Sequence, residues 1–255
     1  MLKTKVEGVK HLFRSYLAAA PHVMYSMTLS LVIDPRKSQH FIHRTLDAID
    51  VSRCDLVIGS SSITEIIKTP LQVGGDEILI TAPYYLNESS DTRNLLELSA
   101  LAYLVRTFSA PTIFEIGTFV GRTTRLFAQN AQGDAKIFTL DLPQDHVRHQ
   151  IGRDFKGIID SVKIQQLFGD SKAFDFSCYH GSCDFVWIDG NHDYPFVKSD
   201  TQNAFKLVKP GGWIGWHDYH QTASWSGVTR TIRELKKSYP AIRHIKGTTT
   251  VLLQC

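Results

Sequence analysis

The sequence predicts a doubly wound α/β fold on one mostly parallel sheet of seven strands. Three observations carry this prediction. From Thr112 onward, short β-rich runs alternate with stretches of helical pattern; a glycine-bearing turn joins the first run to the first of those helices; and the last two runs lie close enough to form an antiparallel pair.

The first five runs are Thr112 to Ile116, Lys136 to Leu140, Val162 to Leu167, Asp184 to Ile188 and Trp213 to Trp216. Helical sequence between successive runs supplies the crossovers that parallel strands require. A helical pattern follows from Val228 to Ser238. Beyond it, Ile242 to Ile245 and Thr249 to Leu253 flank Lys246 and Gly247, which suits a tight connection between antiparallel strands. Ahead of the first strand, Leu95, Leu98, Leu101, Ala102 and Val105 recur at helical spacing behind the cap candidates Ser90 and Asp91. That spacing predicts a helix over Asp91 to Phe108, packed beside the first strand.

Residues 1–90 read as an extension of a main domain spanning 91–255. Their apolar runs around Ile42, Leu56 to Ile58, Ile63 to Ile67 and Ile78 to Ile80 have mixed periodicity, and no low-complexity linker or repeat sets them apart. The extension is expected to serve as a lid, an oligomer contact or both. Ser15 to Ile33 follows Lys3, Lys5, Lys10 and Arg14 in the manner of a leader, but Pro21, His22 and several hydroxyl residues interrupt it. An amphipathic helix is the expectation there, and the cost of exposing its apolar patch points to a homodimer. No run approaches the roughly 20 apolar residues of a membrane span.

A chain of 255 residues with 43% hydrophobic content and a net charge of +3 is an ordinary globular composition. Its basic residues are spread out, which weighs against a nucleic-acid partner. Cys54, Cys178, Cys183 and Cys255 show neither zinc-site spacing nor a disulfide framework, so reduced thiols in the cytoplasm are expected.

The turn after the first run reads Glu115-Ile116-Gly117-Thr118-Phe119-Val120-Gly121-Arg122-Thr123. It is either a tight turn that needs glycine for its own geometry, or a cofactor loop in which Gly117, Thr118, Gly121 and Thr123 meet a ligand. Asp141 favours the second reading, because it ends the next run at the place where such folds put the acid that accepts hydrogen bonds from ribose hydroxyls. The turn lacks the three-glycine spacing of a pyrophosphate site. An acidic mouth at Glu115 repels phosphate and tolerates the cationic sulfonium and ammonium of S-adenosylmethionine. Gly169-Asp170-Ser171 follows the third run, where Asp170 is placed to meet an adenine amino group and Ser171 to cap the next helix; a simple cap explains the motif equally well.

Two further strand ends carry acids and histidines: Asp189-Gly190-Asn191-His192-Asp193 after the fourth run, and His217-Asp218-Tyr219-His220 after the fifth. Asp189, His217 and Asp218 converge in this reading on a divalent cation that would lower the pKa of an acceptor hydroxyl. Alternatively the acids cap the following segments and the histidines are structural. Without a metal, His192 is the candidate general base, with Asp193 orienting it or merely solvated. Trp216, Tyr219 and Trp225 either wall an acceptor pocket or pack the core.

From Asp91 to Leu253 the chain resembles the bacterial class I methyltransferases grouped with macrolide and aminocoumarin sugar O-methyltransferases and with cephalosporin hydroxylase-like proteins. The run Asp184-Phe185-Val186-Trp187-Ile188-Asp189-Gly190, continuing through His192, Tyr194, Val197 and Asp200 to Lys209-Pro210-Gly211-Gly212, His217-Asp218-Tyr219 and Gly227-Val228, carries the resemblance. It implies a Rossmann-like sheet, S-adenosylmethionine as methyl donor, and transfer to an oxygen of a small molecule or sugar. It also implies a metal at Asp189, His217 and Asp218, although His217 stands where metal-dependent members have an acid. That departure leaves Mg2+, Mn2+ and no metal all open. N-methyl transfer, a hydroxylase-associated enzyme on the same fold and a non-catalytic cofactor-binding module are the alternatives.

Overall fold

The structure is a computed structural model that describes residues 60–66, 78–80, 90–157, 160, 163–220 and 226–255. The chain divides into two compact units, Met1–Ser52 and Arg53–Cys255, and all described residues belong to the second. The amphipathic helix expected between Ser15 and Ile33, the apolar runs at Ile42 and Leu56 to Ile58, and Trp225 lie outside the described residues.

The elements in order are β1 (Ser60–Ser61), α1 (Ile63–Ile66), α2 (Ser90–Arg106), β2 (Thr112–Ile116), α3 (Arg122–Asn130), β3 (Lys136–Asp141), β4 (Ile164–Phe168), β5 (Cys183–Ile188), α4 (Tyr194–Leu207), β6 (Val208–Trp216), α5 (Gly227–Ser238), β7 (Arg243–Ile245) and β8 (Val251–Gln254). They build a sheet ordered β1-β7-β8-β6-β5-β2-β3-β4. Strands β2 to β6 pair in parallel, and β8 inserts antiparallel between β6 and β7. The seven expected strands are all present. The sheet has eight among the described residues, because Ser60–Ser61 adds a parallel edge strand against β7. The connection from β7 to β8 runs over residues 246–250, longer than the two-residue turn expected at Lys246 and Gly247.

Alternate residues of the central strands feed two cores, as the period-two geometry of a strand dictates. Phe114, Val186 and Ile214 face Val197, Ala204 and Leu207 of α4 and Val228 and Ile232 of α5. Ile113, Phe185 and Trp213 face Leu98, Leu101 and Val105 of α2 and Leu126 and Phe127 of α3. Each fully buried large side chain contributes about 1.5–3 kcal/mol. Trp216 and Tyr219 are fully buried core residues, with the Trp216 indole N–H donating to Thr201 Oγ1 at 2.9 Å; of the two readings offered for these aromatics, packing is the one observed. Asn130 clamps Leu79, accepting from its backbone N–H and donating to its carbonyl, both at 2.8 Å. Cys178, Cys183 and Cys255 are free thiols. No described helix is long and apolar enough to cross a membrane.

Candidate active site

Strand order reverses between the parallel strands β2 and β5, and in open α/β sheets ligands bind in the crevice outside the carboxyl ends of the strands at such a point. Backbone bonds between successive strand ends set the candidate residues side by side along this edge. Gly169 N–H donates to the Asp141 carbonyl (2.9 Å), Gly117 N–H to Leu140 (2.8 Å), Asp189 N–H to Ile116 (2.8 Å) and His217 N–H to Ile188 (3.1 Å). The row Gly169, Asp141, Gly117, Asp189, His217 therefore follows from strand register alone, with neighbours about 4.8 Å apart.

A cavity of about 510 Å³ runs along this row, lined among others by Gly117, Phe119, Asp141, Leu142, Gly169, Asp170, Ser171, Asp189, His192 and Asp218. A second, of about 300 Å³, lies toward α2 and is lined by Glu97, Leu101, Thr118, Thr123 and Trp187. The two share Gly117, Phe119, Asp189 and His217. Both volumes suit small-molecule ligands. Gly117 requires its lack of a side chain: at φ +102° a Cβ would stand 2.2 Å from the Asp189 carbonyl oxygen.

Two candidates from the first turn line neither cavity. Glu115 is not at the mouth. The pleat directs it toward α3, where it is buried between its cross-strand neighbour Thr139, which donates to Oε2 at 2.6 Å, and Thr124, which donates to the same oxygen. Burial raises its carboxyl to about 8 against those two hydrogen bonds, so it is largely uncharged at neutral pH. Gly121 caps α3 at φ +85°, and a Cβ there would meet Phe155 at 2.4 Å.

Asp141 lines the larger cavity while accepting from the backbone N–H groups of Thr118 (3.1 Å) and Phe119 (2.7 Å) on Oδ2 and of Leu142 (2.7 Å) on Oδ1. Its carboxylate thus holds the glycine turn in place as well as facing the cavity. Asp170 accepts from the Lys172 N–H at 2.9 Å through Oδ1, so it does the capping expected of Ser171, and the segment it caps is a turn instead of a helix. Both residues still line the cavity.

Phe119 is a feature that sequence reasoning missed. It has φ +50°, is 59% exposed, and its ring centroid lies 4.4 Å from that of His149, both residues lining the larger cavity. A non-glycine residue in this region of backbone space is uncommon and strained. Residues behind β3 strap the same turn: Gly152 N–H donates to the Phe119 carbonyl (3.0 Å) and Asp154 N–H to Val120 (2.8 Å).

The acidic and histidine cluster forms at the other end of the row. His217 Nε2 lies 3.0 Å from Glu97 Oε2, and Nδ1 lies 3.0 Å from Asp189 Oδ1 and 3.5 Å from Asp218 Oδ1. His192 reaches Asp189 Oδ1 at 3.7 Å and Asp218 Oδ2 at 3.5 Å, and His220 lies 3.7 Å from Asp218 Oδ1. Burial opposes charge on His217, but the carboxylates of Asp189 and Glu97 outweigh it and hold the imidazole well above its usual range. Asp189 is likewise kept below the usual carboxylate range, burial being overcome by His217 and His192. Asp218 sits at φ +55° and is held low in the same way, with His220 the foremost opponent of burial.

The ligand atoms that converge are those of Asp189, His192 and Asp218, all within 4.8 Å of one another. The sequence reading puts His217 in that set. In the structure its ring lies beside that set, with Nε2 3.0 Å from Glu97 Oε2 and Nδ1 3.0 Å from Asp189 Oδ1. Asp193 is exposed at the start of α4, its N–H donating to Asn191 Oδ1 (2.8 Å), so of the two readings offered for it the solvated one holds. Glu97, absent from the sequence-derived set, is the second missed residue.

Residues 114–219 match the family model described as a methyltransferase domain. Caffeoyl-CoA O-methyltransferase 2 of Petunia hybrida is 26% identical over 139 residues, covering 50% of this chain and 52% of that protein. Caffeoyl-CoA O-methyltransferase 3 of Nicotiana tabacum is 27% identical over the same length and coverage. The chain thus spans about half the length of the curated relatives it matches. Among solved structures, the O-methyltransferase TomG from Streptomyces achromogenes, involved in tomaymycin synthesis and in complex with SAM, aligns with a TM-score of 0.48 at 15% identity, over 83% of this chain and 97% of that one.

Proposed function

Proceeding from the match of residues 114–219 to a methyltransferase domain, we propose that the chain is a class I S-adenosylmethionine-dependent methyltransferase that acts on a hydroxyl group of a small molecule or sugar. The observation that carries this reading is the row of strand ends that lines one ligand cavity with Gly117, Asp141 and the two-carboxylate, one-imidazole cluster of Asp189, His192 and Asp218. S-adenosylmethionine fits the larger cavity, where Gly117 leaves room for close backbone approach and Asp141 and Asp170 offer carboxylate oxygens to ribose hydroxyls and the adenine amino group. When bound it supplies an electrophilic methyl group on a sulfonium.

The chain's own residues then align and deprotonate. Phe119 and His149 line the larger cavity, and Asp189 carries negative charge toward the cationic donor. His192, whose basicity is raised chiefly by the Asp189 carboxylate 3.7 Å away, takes the proton of the acceptor hydroxyl. Two carboxylates and an imidazole fit a divalent cation, Mn2+ better than Mg2+ because of the nitrogen donor; Asp189, His192 and Asp218 would hold it, and it would supply a lowered pKa for the hydroxyl. In that case the proton leaves to water. A homodimer in the cytoplasm belongs to the same proposal, supported by the apolar stretch from Leu17 to Ile33 and the free thiols.

The test is methyl transfer from labelled S-adenosylmethionine to a panel of sugar, catechol and amine acceptors, with and without Mn2+. Labelled ethers from hydroxyl acceptors, lost in Asp189→Asn, support the reading; transfer to amines alone overturns it.

A further inference from the structure

Glu97 is a charged residue on a helix outside the matched methyltransferase region, yet it is only 5% exposed. Its helix neighbours Leu95 and Leu96 are 41% and 43% exposed. A carboxylate is buried at the expense of two leucines only where it finds partners, since an unpaired buried charge costs several kcal/mol. Glu97 finds three. Oε1 accepts from the hydroxyls of Thr249 (3.2 Å) and Thr250, and Oε2 faces His217 Nε2 at 3.0 Å. With Nε2 committed to Glu97, the other ring nitrogen is directed at the cluster: Nδ1 lies 3.0 Å from Asp189 Oδ1 and 3.5 Å from Asp218 Oδ1, without the alignment of a hydrogen bond to either.

We infer that Glu97 is a positioning residue: anchored by Thr249 and Thr250, it fixes the His217 ring so that Nδ1 faces and orients the Asp189 and Asp218 carboxylates. Three chain segments meet in this arrangement, the helix before the sheet, the end of β6 and the connection into β8. Glu97 touches no reacting atom in this account. It acts through His217, as carboxylates behind histidines do at many polar sites.

The consequence for cation affinity rests on the proposed function, whereas the orientation of the ring does not. The experiment therefore has two readouts on the full chain. Long-range imidazole nitrogen–proton spectra of the wild type, with His217 assigned by its absence in His217→Gln, should show a protected, downfield Nε2 proton. That proton persists in Glu97→Gln, which keeps an acceptor, and is lost in Glu97→Ala. Titration with Mn2+ alone should give about 10- to 100-fold weaker binding in Glu97→Ala, mostly recovered in Glu97→Gln.

A wild-type spectrum without the protected Nε2 proton overturns the inference even if Glu97→Ala fails to fold. So does Glu97→Ala that keeps the proton, or that binds Mn2+ as well as or better than the wild type. A Glu97-dependent proton in a chain that binds no Mn2+ leaves the positioning role standing and removes the cation reading instead.

Discussion

The Cα of Gly117 packs against the backbone of Asp189, where a Cβ would lie 2.2 Å from the carbonyl oxygen. That contact joins the turn after β2 to the acid after β5 across the point where the strand order reverses. Gly117→Ala must therefore move one of the two strand ends as well as adopt an unfavourable φ. It should destabilise the chain by at least about 2 kcal/mol in a denaturant titration and abolish S-adenosylmethionine binding.

The strap behind β3 makes a second demand on the same turn. Phe155 is wedged where Cβ atoms at Gly121 and Gly152 would each come within 2.4 Å of its ring. Phe155→Ala is expected to cost about 3–5 kcal/mol of stability and to weaken binding of the methyl donor, because the turn loses its support. Calorimetry beside a thermal melt separates the two effects.

Glu115 gives stability a pH dependence of unusual sign for an acid. Its carboxyl is raised in the folded chain from 4.5 to about 8, so between those values the folded state holds a proton that the unfolded state releases. Stability is full below the lower value and falls as pH rises toward the upper. Asp200, raised from 3.8 to about 6 by burial, acts in the same direction at lower pH. Denaturant titrations should show stability falling from pH 5 to 8 in the wild type and a flatter profile in Glu115→Gln; equal slopes would contradict the buried neutral carboxyl.

Asp189 and His192 separate the two roles assigned to the far end of the row. Replacing His192 with Gln or Asp189 with Asn should each weaken Mn2+ by about tenfold or more, since each removes one of three convergent ligands. His217→Gln should not act as the loss of a ligand, and its effect should match that of Glu97→Ala. A loss in His217→Gln well beyond that of Glu97→Ala would put His217 in the ligand set.

The architecture was legible because buried parallel strands write themselves as apolar runs: the five runs from Thr112 to Trp216 are the parallel strands β2 to β6, and the acids one step past them line the cavity at their carboxyl ends. What escaped has physical reasons. Ser60–Ser61 is two hydroxyl residues at an edge, with no apolar signal. Glu97 sat on the apparent polar side of a helix whose apolar spacing pointed to Leu95; only the folded chain shows that His217 and Thr250 wait for it. Glu115 was misplaced because strand-end acids usually face the crevice, whereas here the pleat turns it toward Thr124 and Thr139. Phe119 carries no warning in its residue type, since aromatic side chains rarely take a positive φ.

Binding of S-adenosylmethionine to the purified chain, measured by calorimetry and repeated with Asp141→Ala, tests the central claim most directly. The account predicts saturable binding that the substitution weakens by about tenfold or more, because Asp141 both faces the ligand and holds the turn through the Thr118 and Phe119 N–H groups. A folded wild-type chain that binds no S-adenosylmethionine, or an Asp141→Ala chain that binds it equally well, would contradict it.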